Sequence, residues 1–244
     1  MLAGAGNPFE TFGPAHLAAV AATAALALGL SFLARRIDSP RLTRALAVAI
    51  AAVLVANELV HYAHGLASVS TQEFLRDKLP IHICGVGLYL TAWMLCRGGR
   101  YAFELAYYWG LGGALQAVLT PNIVVGFPSY RYFHFFINHG GIVVGVVFAA
   151  LALRMRPGRG SVVRVFVITN LYMLVVAGLN VLIGSNYMFL CEPPLGDSPF
   201  FFLPWPWYIL FLEAFALAML VVLYLPFMRW KARCSQDPIP PGKA

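Results

Sequence analysis

AHLAAVAATAALALGLSFLA, residues Ala15 to Ala34, runs directly into Arg35 and Arg36. The stretch contains no Asp, Glu, Lys or Arg, and about 20 residues is the length an α-helix needs to cross roughly 30 Å of hydrocarbon. Stretches of the same kind recur outward from it at Thr43 to His64, Leu79 to Cys96, Tyr101 to Leu119, Phe133 to Leu153, Val162 to Ile183 and Trp207 to Met228. The pattern predicts an all-α polytopic bundle of seven transmembrane helices, one domain over residues 1–233. The chain is 60% hydrophobic and 11% charged, too little charge to cover a water-soluble domain. A β-barrel would show short alternating strands, and none is present. The net charge of +7 lies between the apolar segments and forms no free basic face, so nucleic acid is not the expected partner; the bilayer is.

Arginine and lysine placement orients the bundle. Arg35, Arg36, Arg41 and Arg44 follow the first span, Arg97 and Arg100 the third, and Arg154, Arg156, Arg159 and Arg164 the fifth; Arg229, Lys231, Arg233 and Lys243 follow the seventh. The other side has Arg76 and Lys78 beside Glu73 and Asp77, then Arg131. Short cytoplasmic loops are rich in these residues, which predicts the N-terminus outside and the C-terminus inside, and hence an odd number of spans. No basic n-region precedes the first span, so it is expected to stay as a helix rather than be cleaved. Aromatic residues such as Tyr132, Phe133, Trp205 and Trp207 lie at predicted outer ends, the headgroup level. Residues 234–244, with Pro238, Pro240 and Pro241, read as a disordered cytoplasmic tail. Gly110, Gly112 and Gly113 let another backbone approach closely and put the fourth span at the bundle centre.

On this topology all six histidines, His16, His61, His64, His82, His134 and His139, fall at outer helix ends. Glu58, Cys84, Gln116, Asn138, Asn180, Asn186 and Glu213 lie near them, whereas the inner halves of the spans are almost free of such groups. Polar side chains within spans face the bundle interior or a wet cavity, which predicts a polar pocket opening outward. Any single histidine is more readily read as packing or interhelical glue than as a functional group. Glu58, His61 and His64, spaced by three, share one helix face and read equally as a functional face, a ligand set or a polar seam.

Cys84 sits in Leu79-Pro80-Ile81-His82-Ile83-Cys84-Gly85. Pro80 suits a helix start and puts Cys84 in about the first turn, near backbone N–H groups whose partial positive charge favours a thiolate. Apolar surroundings oppose that charge, and a histidine able to take the proton decides between the two. A small buried hydrophobe, or a disulfide with Cys191, are the plainer readings of Cys84. His139, in Phe136-Ile137-Asn138-His139-Gly140-Gly141, lies at a similar depth and is the best base candidate, with small Gly140 and Gly141 leaving room for a chain or another helix. Asn138, Asn180 and Asn186 are candidate oxyanion donors, with His82, Glu58 and His61 as further support for a substrate.

Leu-Pro-x-His-x-Cys at the third span, Asn-His-Gly in the fifth and Asn-Tyr-Met-x-Leu-Cys-x-Pro-Pro at Asn186 to Pro194 resemble the YwaF-type bacterial membrane proteins over nearly the whole chain. That family is similar to eukaryotic multispanning phospholipid acyltransferases that work through a cysteine and a histidine. The resemblance implies a bacterial cytoplasmic membrane location, Cys84 as the acyl-accepting nucleophile and His139 as its base, with a membrane phospholipid as substrate. The enzyme would be a transacylase, or a lipase where water is the acceptor. Acyl-CoA, a cytoplasmic donor, fits an outward site poorly.

Two other classes stay open on the sequence. Glu58, His61, His64, His82 and His139 are available ligands for a transition metal, but the Glu58-x-x-His61 spacing of carboxylate-bridged bundles occurs once where those use it twice. No metal or other cofactor is expected on that ground. A solute receptor or transporter also fits a polar cavity, although a retinal protein needs a lysine inside the last span and Lys231 lies beyond it.

Overall fold

The computed structural model describes residues 7–194 and 200–234, so the expected tail from residue 235 onward lies outside the described residues. The described elements are helices: α1 (Pro14–Ile37), α2 (Pro40–Ser68), α3 (Thr71–Asp77), α4 (Ile83–Arg97), α5 (Arg100–Trp109), a π-helical turn (Gly110–Ala114), α6 (Leu115–Leu119), α7 (Tyr130–Leu151), α8 (Ser161–Ile183), a 3₁₀ turn (Tyr187–Phe189) and α9 (Trp207–Cys234). An isolated bridge pairs Pro8 with Val125.

Local chemistry sets the boundaries. Pro14 and Pro40 open α1 and α2, where a missing N–H costs nothing, and Ser39 and Ser129 cap α2 and α7 by accepting from Leu42 N and Tyr132 N. The tight connection between α4 and α5 rests on Gly98 and Gly99 at φ 73° and 103°, conformations that side-chain-bearing residues rarely adopt.

Five helices, α1, α2, α7, α8 and α9, are long and apolar enough to cross a membrane. The third and fourth predicted spans take different forms. Leu79 to His82 do not join a helix: His82 is the extended N-cap of α4, which has only 15 residues, about 22 Å. Pro80 instead folds back over the first turn, so that a Cβ on Gly85 would sit 3.0 Å from the Pro80 Cα. The fourth stretch is helical from Arg100 to Leu119 but is divided by the π turn.

α7 is the axis of the packing, and three of its positions admit no side chain. A Cβ would stand 2.7 Å from Thr23 Oγ1 of α1 at Gly140, 2.7 Å from Leu54 of α2 at Gly141, and 2.6 Å from Thr91 of α4 at Gly145. α1 and α2 thus close on the Cβ positions of Gly140 and Gly141, and the two glycines also line an apolar cavity between α1, α2 and α7. Thr23, Ser31 and Thr91 donate to carbonyls one turn back in their own helices, which satisfies hydroxyls that have no water to turn to.

At the α5 start, Glu104, 1% exposed, locks the basic end of the bundle. Its Oε1 accepts from Arg100 Nε at 3.0 Å and Gly158 N at 2.9 Å, and its Oε2 from Arg164 Nε at 2.8 Å. One carboxylate thus ties α5 to the α7–α8 connection and to α8.

A candidate active site around Cys84

α4 begins at Ile83, so Cys84 is its second residue, beside the N–H groups that no helical carbonyl serves. The thiol opens into a cavity of about 400 Å³ bounded by α4, α5, the π turn, α8 and α9. Its walls are mostly apolar and aromatic, among them Trp109, Phe166, Tyr208, Phe215 and Leu220, with His82, Gln116, Thr169 and Glu213 as polar exceptions. Cys84 and Cys191 are both free thiols, so the disulfide reading of Cys84 does not hold.

The π turn shapes this wall. Gly110 faces α7, where a Cβ would meet Val146 at 3.0 Å and Ile142 at 3.1 Å; Gly112 faces Met219 of α9; Gly113 faces the thiol, its Cβ position 4.0 Å from Cys84 Sγ. A wider turn aims successive glycines at three different helices, and such turns recur at functional sites.

His139 lies on α7 one turn from Ile142 toward Tyr130. α5 and α7 run antiparallel, because the α6 end meets the α1 and α7 starts through His16 to Val118 O and Tyr132 Oη to Ala15 O. One turn from the Gly110–Ile142 contact, toward Leu119 on the one helix and toward Tyr130 on the other, brings Gly113 and His139 to the same level. No hydrogen bond joins His139 to Cys84 among the described residues, and His139 does not itself line the cavity. Its Nδ1 lies 3.0 Å from Phe135 O. A carbonyl only accepts, so Nδ1 carries the proton and Nε2 is left with its lone pair, the tautomer a general base requires. His82 has the opposite tautomer: its Nδ1 accepts from Met188 N at 3.3 Å, which leaves Nε2–H as a donor within the Cys84 cavity.

The remaining candidates separate into other jobs. Glu58 Oε2 accepts from Asn138 Nδ2 at 2.9 Å and lies 3.3 Å from His134 Nε2, while the His61 and His134 rings stack with centroids 4.0 Å apart. Glu58, His61 and Asn138 therefore form a polar seam between α2 and α7, away from the residues that line the Cys84 cavity. Asn180 spends its amide on the loop after α8, accepting from Tyr187 N and Ser185 Oγ and donating to Tyr187 O. Asn186 does the same for Cys191 N and Glu192 O. In this arrangement each amide supports its own loop, and neither residue lines the Cys84 cavity. His16 is packing: it is buried, accepts from Phe12 N and bonds Val118 O. Among the described residues, no three His, Cys, Asp or Glu side chains come together to hold a metal ion.

The roof of the cavity escaped the sequence reading. Met188, Phe189 and Leu190 close it, with Met188 and Phe189 both at positive φ, 60° and 55°. The strain is held by bonds from outside the segment: Tyr208 Oη to Phe189 O, Trp205 Nε1 to Leu190 O, and Tyr187 Oη, which donates to Leu75 O and accepts from Leu79 N. Only the Asn186–Pro194 motif hinted that this loop has a fixed form.

No solved structure matches the chain. A Treponema pallidum (strain Nichols) protein described as uncharacterized is 30% identical over 158 residues, 62% of this chain and 63% of that protein. The chain thus spans less than two thirds of that relative. The TMEM164 family model matches residues 11–224, which include every motif behind the YwaF-type resemblance. With five membrane-length apolar helices and a family match over most of its length, the chain is a multi-pass membrane protein that belongs to the TMEM164 family.

Proposed function

We propose that the protein is a lipid acyltransferase or transacylase that carries the acyl group on Cys84. The observation that carries this reading is a thiol in the first turn of α4 that lines an apolar cavity; His139, whose free nitrogen is Nε2, is its base in this proposal. An apolar cavity suits an acyl chain, and a first-turn cysteine has the helix dipole to favour its thiolate.

In the first half-reaction His139 Nε2 takes the thiol proton as Cys84 Sγ bonds to the ester carbonyl carbon. The oxyanion is met by N–H groups at the start of α4 and by His82 Nε2–H. The ester C–O bond breaks, and the departing lysolipid oxygen leaves with the proton from His139. In the second half-reaction an acceptor hydroxyl oxygen bonds to the thioester carbon, the C–S bond breaks, and the hydroxyl proton ends on the Cys84 sulfur.

The topology that belongs to this proposal has seven crossings, with the short α4 and the α5–α6 stretch as the third and fourth. The N-terminus is outside, the tail is cytoplasmic, and the membrane is a bacterial cytoplasmic one. A phospholipid then reaches Cys84 from the outer leaflet. The test is lipid transfer in proteoliposomes from phosphatidylcholine to a lysophospholipid, followed by mass spectrometry of products. Transfer is expected in the wild type and lost in Cys84→Ala; full transfer by Cys84→Ala would sink the proposal.

A further inference from the structure

Glu213 is a carboxylate within the membrane-length helix α9, and the mechanism above leaves it unused. It lines the same cavity as Cys84 and His82. Its Oε2 accepts from Asn170 Nδ2 of α8 at 2.8 Å, and the same Asn170 nitrogen donates to Phe166 O at 3.1 Å. Both amide hydrogens of Asn170 are thereby committed, so the carboxylate is held in one orientation. Among the described residues no Lys, Arg or His forms an ion pair with Glu213, and none donates to its Oε1. An ionisable group at membrane depth is costly, and one kept without a counter-charge in a cavity wall points to a ligand that supplies a hydrogen-bond donor.

Glue between α8 and α9 explains the Asn170 bond but not the acid. A glutamine would accept from Asn170 equally well at lower cost, since an amide carries no charge to desolvate. What a carboxylate adds is an acceptor with a second free oxygen, held rigidly on the wall opposite α4. Of the reactants, the acyl donor presents only ester oxygens and apolar chain at this cavity, which accept or ignore hydrogen bonds. The acceptor brings an O–H.

We propose that Glu213 is the acceptor-activating base of the second half-reaction: its Oε1 takes a hydrogen bond from the acceptor hydroxyl, turns the oxygen lone pair toward the thioester on Cys84 and receives the proton as that oxygen attacks. As the new C–O bond forms the C–S bond breaks, and the proton passes from Glu213 to the departing Cys84 sulfur, so that thiol and carboxylate are both restored. This assignment rests on the Cys84 acyl-transfer reading, and it divides the cavity into a donor side, Cys84 with His82, and an acceptor side, Glu213 fixed by Asn170.

The two half-reactions can be watched apart. Purified protein in phosphatidylcholine vesicles is sampled by intact-mass spectrometry for the Cys84 thioester, first without acceptor and then after addition of a lysophospholipid with one free hydroxyl. Glu213→Gln keeps the oxygen that Asn170 bonds and so keeps the fold. It is expected to form the thioester at the wild-type rate and to discharge it to lysophospholipid at least tenfold more slowly. Glu213→Asp, which keeps a carboxylate but withdraws it by one methylene, is expected to slow discharge less than Glu213→Gln does. Thioester discharge at the wild-type rate in Glu213→Gln overturns the assignment while leaving Cys84 chemistry intact. Absence of any thioester in the wild type overturns both.

Discussion

Replacing Glu104 with Gln tests whether the basic end of the bundle is held as described. Glu104 is 1% exposed, whereas the side chains of its partners Arg100 and Arg164 are 52% and 31% exposed. When the charge is removed both guanidinium groups can hydrate, so the cost is less than that of stranding two buried cations. What remains is the loss of the short bond to Arg164 at 2.8 Å, a weakened acceptor for Gly158 N, and an amide NH₂ facing cationic donors. Removing one partner of a buried ion pair costs about 3–5 kcal/mol, and partial solvation of the arginines puts this case near the lower figure. For a chain of this size that corresponds to a fall of about 6–12 °C in melting temperature. The assay is loss of monodisperse protein on heating in detergent at one scan rate, because unfolding of such proteins is commonly irreversible. Arg100→Ala, which removes only a half-exposed partner, is expected to cost under about 1 kcal/mol. A Glu104→Gln protein that melts within about 2 °C of wild type would refute the idea that one carboxylate organises α5, the α7–α8 connection and α8.

Three further outcomes follow from particular contacts. Gly113→Ala is expected to retain transfer, its Cβ 4.0 Å from Cys84 Sγ being an ordinary contact, while Gly113→Val should slow maleimide labelling of Cys84 as the branched methyls reach the thiol. Tyr187→Phe removes a donor to Leu75 O and an acceptor from Leu79 N, at about 1–3 kcal/mol; hydrogen exchange should rise at Met188 to Leu190 and leave α7 unchanged. Gly145→Leu places a side chain where even a Cβ lies 2.6 Å from Thr91 Cγ2, so the folded yield should collapse, and normal yield would contradict the described α4–α7 approach.

The long spans were legible because hydropathy and length dictate them. α1, α2, α7, α8 and α9 fall within a few residues of their predicted positions, apart from longer helical ends on α2 and α9. The third and fourth spans were less so, since composition does not reveal that Pro80 lies ahead of α4 rather than in it. Nor does a run of glycines announce a π turn. Gly110, Gly112 and Gly113 were recognisable as a close-approach site, but which helix each one meets depends on a register that only tertiary packing sets. For the site, the sequence singled out Cys84 and His139 as candidates by residue type and expected depth. It had no means of separating Glu58, His61 and Asn138 from them, because six histidines at one end of a bundle look alike until their helices are arranged around an axis. That the amides of Asn180 and Asn186 support their own loop went unseen because a loop's need for side-chain support is invisible in its composition.

The central claim is that Cys84 carries an acyl group, and peptide mass spectrometry tests it most directly. Purified protein incubated with phosphatidylcholine and no acceptor is digested, and the peptide containing Cys84 is weighed before and after hydroxylamine. The account predicts a hydroxylamine-labile fatty acyl mass on Cys84, strongly reduced in His139→Ala and absent in Cys84→Ala. An unmodified Cys84 peptide alongside normal lipid turnover would contradict it.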